Sequence, residues 1–459
     1  MCGFCGIVGP ARAAAPEALP AMTDSLAHRG PDDAGTHVEH FAVRGDAHTL
    51  ALGHRRLSIL DLSPLGHQPM ESADGTRVIA YNGEVYNFRE LRRELEALGH
   101  AFRSDCDTEV LLEAYHAWGT DAFDRFIGMF AFALWDRPQR RLVLVRDRLG
   151  IKPLYYTFRD GLLTFGSELR ALRAHPGFRA DVSRAALGRY LRGGYTVGEE
   201  TIYRDARRLL PGSYLVWRDG AIETHAYWRL IDRDPAPPPA RFDAAVDALD
   251  ALLGDAVERR MIADVPLGAF LSGGVDSSVV VALMQERSRS PVRTFSIGFR
   301  EPAWDEAPHA RAVAAHLKTQ HTELYVDRAD AVAVAHELPD LYDEPFADSS
   351  AIPTTLLSRL TRDHVTVSLS GDGGDELFGG YDRYAKLRRL APLLALPSPL
   401  RGAIAAASSL LPRGSLRNGL SHLRAPDAAT LAERLGAHFD DADLAAACGP
   451  GGGDPPPLY

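Results

Sequence analysis

Fourteen residues, Val265–Ser278 (VPLGAFLSGGVDSS), constrain what this chain can fold into more than any other stretch. The apolar run Val265–Leu271 reads as a short buried strand and Ser272-Gly273-Gly274 as a turn. From Asp276 onward the apolar residues recur with helical spacing. A strand, a glycine-rich turn and a helix N-terminus together form a phosphate cradle. Amide N–H groups point outward, the helix dipole favours negative charge, and glycine lets the main chain approach oxyanions closely. No Gly-Lys-Ser/Thr follows, so this is not the ordinary P-loop. A bare Ser-Gly-Gly is more often a ligand-free corner.

The next segments place that cradle in a sheet. Val292–Phe299 and His321–Val326 read as buried strands, with helices at Asp305–Leu317 and Ala351–Leu360. Strand His364–Leu369 then leads into a second glycine-rich loop, SGDGGDELFGGY (Ser370–Tyr381). Strands alternating with helices imply a doubly wound parallel sheet with ligands at the carboxyl ends of its strands. The second loop lacks the alternating acidic ligands and later Glu of an EF-hand. The spelling SGGVDSS resembles the pyrophosphate loop of the N-type ATP pyrophosphatases, the adenine nucleotide α-hydrolase-like fold. Seven matching residues after an apolar strand favour that reading over a plain turn.

Upstream, Asp232–Arg241 (DRDPAPPPAR) reads as a semi-rigid linker, and Phe242–Ile262 as an amphipathic helix. The N-terminal half alternates short strands at Leu50–Gly53, Arg77–Tyr81, Phe130–Trp135, Arg141–Arg146 and Leu162–Gly166 with helices at Phe88–Leu98 and Glu109–Trp118. Turn signals such as RPQR and RDG make the strands antiparallel hairpins.

Composition narrows the class. Across 459 residues, 46% hydrophobic and 24% charged content describe a globular protein of two to four domains. A formal charge of −10 argues against nucleic acid or an anionic membrane as the main partner. Arginine carries the positive charge, because Lys152, Lys318 and Lys386 are the only lysines. Four cysteines, at 2, 5, 106 and 448, are too scattered for a disulfide framework. No basic n-region followed by an apolar core opens the sequence, so a secretory leader is not expected, and Leu390–Leu411 is interrupted by Pro392, Pro397, Pro399 and Arg401. The expectation is a reduced, cytoplasmic enzyme.

The chain opens MCGFCGIVGP. Zinc at Cys2 and Cys5 would need a second ligand pair, and Cys106 and Cys448 stand alone. A thioredoxin-like dithiol would follow a strand. Alternatively, removal of Met1 makes Cys2 the N-terminal residue, with a thiol and an α-amine of reference pKa ~7.7–8.0 on one residue. That amine can serve as general base for its own side chain.

HRGPDD (His28–Asp33), GHRRLSILD (Gly53–Asp61), YNGEVYN (Tyr81–Asn87) and SDCDTEVLL (Ser104–Leu112) follow in order. With MCGFCGIVG they resemble the class II glutamine amidotransferase domain of glutamine-hydrolysing asparagine synthetases. The resemblance extends from Cys2 to about Tyr384 and takes in RDRLGIKPLYY and FGSELRAL. It implies an Ntn-hydrolase αββα sandwich followed by the parallel sheet, giving a two-domain α/β protein. Expected spans are 2–220 for the glutaminase domain, 232–241 for the linker, 242–390 for the ATP-pyrophosphatase domain and 391–459 for a helical region with a disordered tail.

The implied roles follow residue by residue. Cys2 is the nucleophile, and Asn82 with the Gly83 amide holds the oxyanion. Arg56 takes the glutamine carboxylate. Asp107, with Glu84 and the backbone of Ile59 and Leu60, surrounds the glutamine ammonium group. Cys5 and Cys106 are packing residues. In the second half, the main chain at Leu271, Ile297 and Gly371 holds adenosine, and Ser272, Gly273, Gly274, Asp276, Ser277 and Ser370 line the phosphates. Asp276 and Asp375 are carboxylates suited to Mg²⁺, and Asp372 sits at the acidic position tied to forming the acyl-adenylate.

The implied activity is an ATP-dependent carbon–nitrogen ligation: glutamine hydrolysed, aspartate adenylated, and asparagine, AMP, pyrophosphate and glutamate released. A homodimer is compatible with the resemblance. Three alternatives stay open: another carboxylate acceptor such as a sugar acid or peptide, a phosphoribosyl-transferring amidotransferase, and a glutaminase-only or binding paralogue. Past Tyr384 the sequence is loosely helical and closes on the Gly/Pro-rich Gly449–Pro457. Family members carry further helices and a basic residue near the phosphates, and no lysine follows Lys386. The expectation is a C-terminally truncated synthetase half that makes asparagine poorly.

Overall fold

The computed structural model describes residues 1–233, 237, 239–300, 305–411, 420–439 and 444. The N-terminal half stacks two six-stranded antiparallel sheets. The first contains β1 (Gly3–Pro10), β2 (Asp33–Val43) and β3 (Asp46–Arg56), and the second β4 (Met70–Glu71), β5 (Arg77–Val85), β6 (Gly128–Asp136) and β7 (Arg141–Arg146). β8 (Tyr155–Arg159), β9 (Leu162–Gly166) and β10 (Ala206–Arg208) complete the first; β11 (Ser213–Arg218) and β12 (Ala221–Ala226) complete the second. The orders are β10-β8-β9-β1-β3-β2 and β12-β11-β7-β6-β5-β4.

Period-two alternation assigns the faces. Val78 and Ala80 of β5 join Phe4, Leu52, Trp135, Phe165 and Trp217 in the core between the sheets. Ile79, Tyr81 and Val85 face the opposite way, against Leu91 and Val110 of helices Phe88–Ala97 and Asp107–Trp118. On the other side, Cys5 and Ile7 pack against Leu19 and Met22 of helix Leu19–Asp24. Helices therefore cover both outer faces, the αββα sandwich. Each large side chain buried between the sheets contributes roughly 1.5–3 kcal/mol, which fixes β1, β3 and β5 relative to one another.

The second sheet continues past residue 220, where the glutaminase span was expected to end. Asp219 and Gly220 both have positive φ (51° and 79°), the twist that closes a tight hairpin, and β12 pairs with β11 as far as Ala226. β2, absent from the sequence reading, alternates exposed and half-buried residues along an edge. Its His- and Glu-containing pattern carries little apolar signal.

The C-terminal half holds a four-stranded parallel sheet of β13 (Leu267–Phe270), β14 (Arg293–Phe299), β15 (Gln320–Val326) and β16 (Val367–Leu369), in the order β15-β14-β13-β16. Ala269, Leu271 and Leu369 pack with Val281 and Met284 of helix Val275–Arg287, and with Ala310 and Ala314 of helix Ala307–Leu317. The chain steps from β13 outward to β14 and β15, then returns to the other side of β13 as β16. The reversal leaves a crevice between the ends of β13 and β16, where open α/β sheets bind ligands. Helix Arg328–Leu341, opened by an Asp327/Asp330 capping box, was missed because Pro339 lies inside it.

Of the linker, residues 234–236 and 238 lie outside the described part. The Gly449–Pro457 stretch does too. Helices Ser398–Ala407 and Ala428–Leu435 follow the sheet, and the His438 amide donates to Arg192 O of the first half at 2.7 Å. Among the described residues no helix is long and apolar enough to cross a membrane.

Candidate active site

Cys2 precedes β1, whose Gly3 pairs with Arg55 of β3, so its side chain meets the chain just beyond β3. The Leu57 amide donates to Cys2 Sγ at 3.4 Å, and the thiol lies 3.6 Å from Leu57 O. Burial pushes the Cys2 thiol pKa up, while Arg56 is among the charges pulling it down. Met1 is 55% exposed as a residue, but its α-amine is buried, which lowers its pKa to about 5, and its Sδ accepts from Lys152 Nζ at 2.7 Å. Cys5 points elsewhere: its Sγ sits 3.6 Å from Thr23 Oγ1, and burial raises its pKa to about 12. Cys106 is also buried, 3.0 Å from Ser104 Oγ. Both behave as inert packing residues, and Cys2 and Cys5 are free thiols.

The register of β5 explains how Gly83 can serve as a donor. Gly83 is opposite Phe130, but Phe130 exchanges both its backbone groups with Asp147 on its other side. Gly83 therefore turns its N–H to the open edge of β5. Its neighbours on that edge are satisfied: the Tyr81 amide donates to Gln68 Oε1 at 2.7 Å and the Val85 amide to Asp107 Oδ2 at 2.9 Å. Between them the Gly83 N–H points to the same edge, beyond the last β4 pair at Met70–Ile79. A Cβ at this position would lie 2.3 Å from Met129 O, so only glycine fits. Asn82 is 1% exposed, alternates onto the inter-sheet face, and has both amide atoms unpartnered. Two unused donors, one backbone and one side chain, suit an oxyanion.

Asp107, the first residue of its helix, is held by the Val85 amide and by the Tyr81 hydroxyl at 2.7 Å. Burial raises its pKa. Burial and then the Asp107 charge raise Glu84 to about 7. Lys152, 2% exposed, is lowered to about 8 by burial, with Glu84 opposing. Arg56 turns onto its own loop: Nη2 donates to Leu60 O at 3.1 Å and to Asp61 O, and Nη1 to Ser63 O at 3.4 Å. Ile59 O accepts the Asp264 amide at 3.0 Å, and the Asp61 amide donates to Asp264 Oδ2 at 2.9 Å. The 59–61 loop is thus pinned by a residue of the second half.

At the switch point of the parallel sheet, Ser272 Oγ sits 3.0 Å from Ser277 Oγ and accepts the Gly274 amide at 3.2 Å. These bonds fold the turn at the start of helix Val275–Arg287. Gly273 has φ 83°, and a Cβ there would meet Ala310 N at 2.6 Å. The second loop lies directly against the first. Cβ atoms on Gly371 and Gly374 would fall 2.7 Å from Ser277 N and 2.4 Å from Asp276 Oδ2. Leu271 and Gly371 follow β13 and β16, whereas Ile297 is still inside β14. Register puts all three at one sheet edge, since Phe270 pairs with Phe295 and Ala269 with Leu369. Ser370 Oγ donates to Asp372 Oδ2 at 2.9 Å. The Asp276 carboxylate lies beside Gly374; that of Asp375 packs over Gly380.

A glutamine amidotransferase domain model matches residues 1–228, and an asparagine synthase model matches 248–447. Glutamine-hydrolysing asparagine synthetase 1 of Bacillus subtilis is 36% identical over 423 residues, covering 90% of this chain and 64% of the relative. The provisionally named glutamine-hydrolysing asparagine synthetase 2 of Methanocaldococcus jannaschii is 36% identical, covering 92% and 83%. A protein of the same provisional description from Mycobacterium tuberculosis is 37% identical, covering 92% and 67%. The chain belongs to the glutamine-hydrolysing asparagine synthetase family.

In this member the two halves are joined by polar contacts that no sequence motif records. Arg29 Nε donates to Cys2 O at 2.9 Å and its Nη1 to Glu168 Oε1 at 2.8 Å. Arg170 Nε lies 2.8 Å from Glu168 and 3.4 Å from Asp343. Asp343, in the second half, accepts the Leu169 and Arg170 amides at the start of helix Leu169–Arg173. Glu344 accepts from Tyr155 at 3.1 Å, Thr196 at 3.0 Å, the Ile202 amide at 3.2 Å, and Arg208. Around these groups lies a cavity of ≈ 420 Å³ lined from both halves. HRGPDD and FGSELRAL were visible as motifs. Their pairing across more than a hundred residues had no local signal.

Proposed function

We propose that this chain hydrolyses glutamine at Cys2 and uses the ammonia to amidate aspartate activated as an acyl-adenylate. The observation that carries the reading is the pair of unused donors, Gly83 N–H and the Asn82 amide, on the strand that passes the Cys2 site. The Cys2 amine, freed by loss of Met1, takes the thiol proton. The thiolate adds to the carboxamide carbon, and Asn82 and Gly83 hold the oxygen that becomes negative. Arg56 receives the glutamine carboxylate; Asp107, with Glu84 and the 59–60 backbone, receives its ammonium group. Collapse expels ammonia, and water releases glutamate from the thioester.

In the second half, ATP sits across the switch point. Leu271, Ile297 and Gly371 frame the adenosine, and Ser272, Gly273, Gly274, Asp276, Ser277 and Ser370 surround the phosphates. The Asp276 and Asp375 carboxylates make no hydrogen bond or ion pair among the described residues, which fits two carboxylates that hold Mg²⁺. Held by these two carboxylates, Mg²⁺ would supply positive charge against the pyrophosphate. Asp372 lies beside the carboxylate being adenylated.

The test counts glutamate, pyrophosphate and asparagine with aspartate present and absent, alongside the intact mass. Aspartate-dependent pyrophosphate release by a chain lacking Met1 supports the reading. Pyrophosphate release that ignores aspartate overturns the acceptor, and an active chain retaining Met1 overturns the base.

A further inference from the structure

We propose that His100, Glu113 and His116, on the outer helical layer of the first half, form a binding site for Zn²⁺ or a like transition-metal ion. Glu113 is 7% exposed, and its carboxylate pairs with these two imidazoles. His100 Nδ1 lies 2.6 Å and His116 Nδ1 3.7 Å from Glu113 Oε2. All three ligand atoms fall within 4.8 Å of one another, the one such group of three among the described residues.

The donor set suits the metal. Two imidazole nitrogens and one carboxylate oxygen leave a fourth tetrahedral position for water. Bonds of ~2.0–2.2 Å place neighbouring ligand atoms roughly 3.3–3.5 Å apart. The observed 2.6 and 3.7 Å bracket that spacing. His116, with its side chain 43% exposed, has room to swing inward.

All three ligands stand on fixed backbone. Gly99 (φ 93°) ends helix Phe88–Ala97, and the His100 amide donates to Leu95 O at 3.0 Å, closing a Schellman turn. Glu113 and His116 lie three residues apart on helix Asp107–Trp118, hence on one face. An ion here would clamp the end of one helix to the middle of the next and close the segment between residues 100 and 113. Asp107 lies in that segment. Binding to the folded chain alone stabilises it, and the closed loop reduces the freedom of the unfolded chain.

The test uses untagged full-length Cys2→Ala chain, stripped with EDTA, so that the Cys2 thiol does not compete. Titration with Co²⁺ should give one equivalent with tetrahedral visible bands, displaced by Zn²⁺. Zn²⁺ should also raise the first unfolding transition by roughly 2–4 °C. His116→Ala should weaken Co²⁺ binding about tenfold or more. His100→Ala/His116→Ala should abolish the stoichiometric site with an unchanged circular dichroism spectrum. No bound equivalent in the parent chain, or equal binding by the double variant, overturns the proposal and leaves a His100–Glu113 ion pair.

Discussion

The Tyr81 hydroxyl donates to Asp107 Oδ2 at 2.7 Å, joining the strand that carries Asn82 and Gly83 to the helix that begins with Asp107. The same oxygen takes the Val85 amide, so the carboxylate is held in place. A hydrogen bond to a charged group contributes about 1.5–3 kcal/mol. Tyr81→Phe should therefore raise the KM for glutamine on the order of tenfold, with kcat nearly unchanged. Steady-state glutaminase kinetics check this, and an unchanged KM would refute the positioning role.

Glu84 gives the glutamine site a pH dependence. Its folded pKa of about 7 lies above the reference 4.5, so it is protonated below neutrality and charged above it. Glutamine binding as a cation-bearing zwitterion should tighten as pH rises through about 7, with KM falling between roughly pH 6 and 8. The raised pKa has the opposite effect on stability. The folded chain holds the proton longer, so this group's contribution declines from the unfolded pKa up to the folded one. Glu84→Gln should flatten the KM profile while leaving the kcat limb due to the Cys2 amine. A variant profile superimposed on wild type would sink the assignment.

Asp276 and Asp375 should matter only to the second half reaction. Each Asp→Asn change removes charge next to the proposed Mg²⁺–pyrophosphate. Losses of about a hundredfold or more in aspartate-dependent pyrophosphate release are expected. Glutamine hydrolysis should be unaltered. Of the two, Asp375 has the carboxylate turned toward Gly380, so equal losses require it to rotate when nucleotide binds. Near-wild-type release from both variants would remove them from the metal site.

Asp343 should couple the halves. Its carboxylate caps the two amides that open helix Leu169–Arg173 and neighbours Arg170, which pairs with Glu168; Glu168 in turn holds Arg29, whose Nε donates to the Cys2 carbonyl. Asp343→Ala removes cap bonds worth about 0.5–2 kcal/mol. The expected result is more glutamate formed per asparagine, with ammonia-dependent synthesis retained. An unchanged ratio would show that the contact is merely adhesive.

What the sequence revealed, and what it hid, follows from the range of the interactions. The strand, turn and helix of Val265–Ser278 were legible because a short apolar run, two glycines and helical spacing lie within one window. Strands Arg141–Arg146 and Leu162–Gly166 were legible with their ends, each being bounded by a charged or glycine-containing turn. Gly83 was recognisable as a donor, but the reason it is free depends on Phe130 and Asp147, more than forty residues away. Helix Arg328–Leu341 was hidden by Pro339, and β2 by edge exposure. The grip of Asp264 on Ile59 and Asp61, and of Glu344 on Tyr155 and Arg208, joins residues 130 or more positions apart. No periodicity records such pairs.

The most direct test of the central claim is steady-state glutamate release by purified Cys2→Ala chain beside wild type. Cys2 Sγ is held by the Leu57 backbone, while the thiols of Cys5 and Cys106 pack against Thr23 and Ser104. Removing the nucleophile of a concerted site costs on the order of a thousandfold or more in kcat. Glutamate release at the level of the uncatalysed control is the predicted result. Hydrolysis by Cys2→Ala within a few-fold of wild type would contradict it.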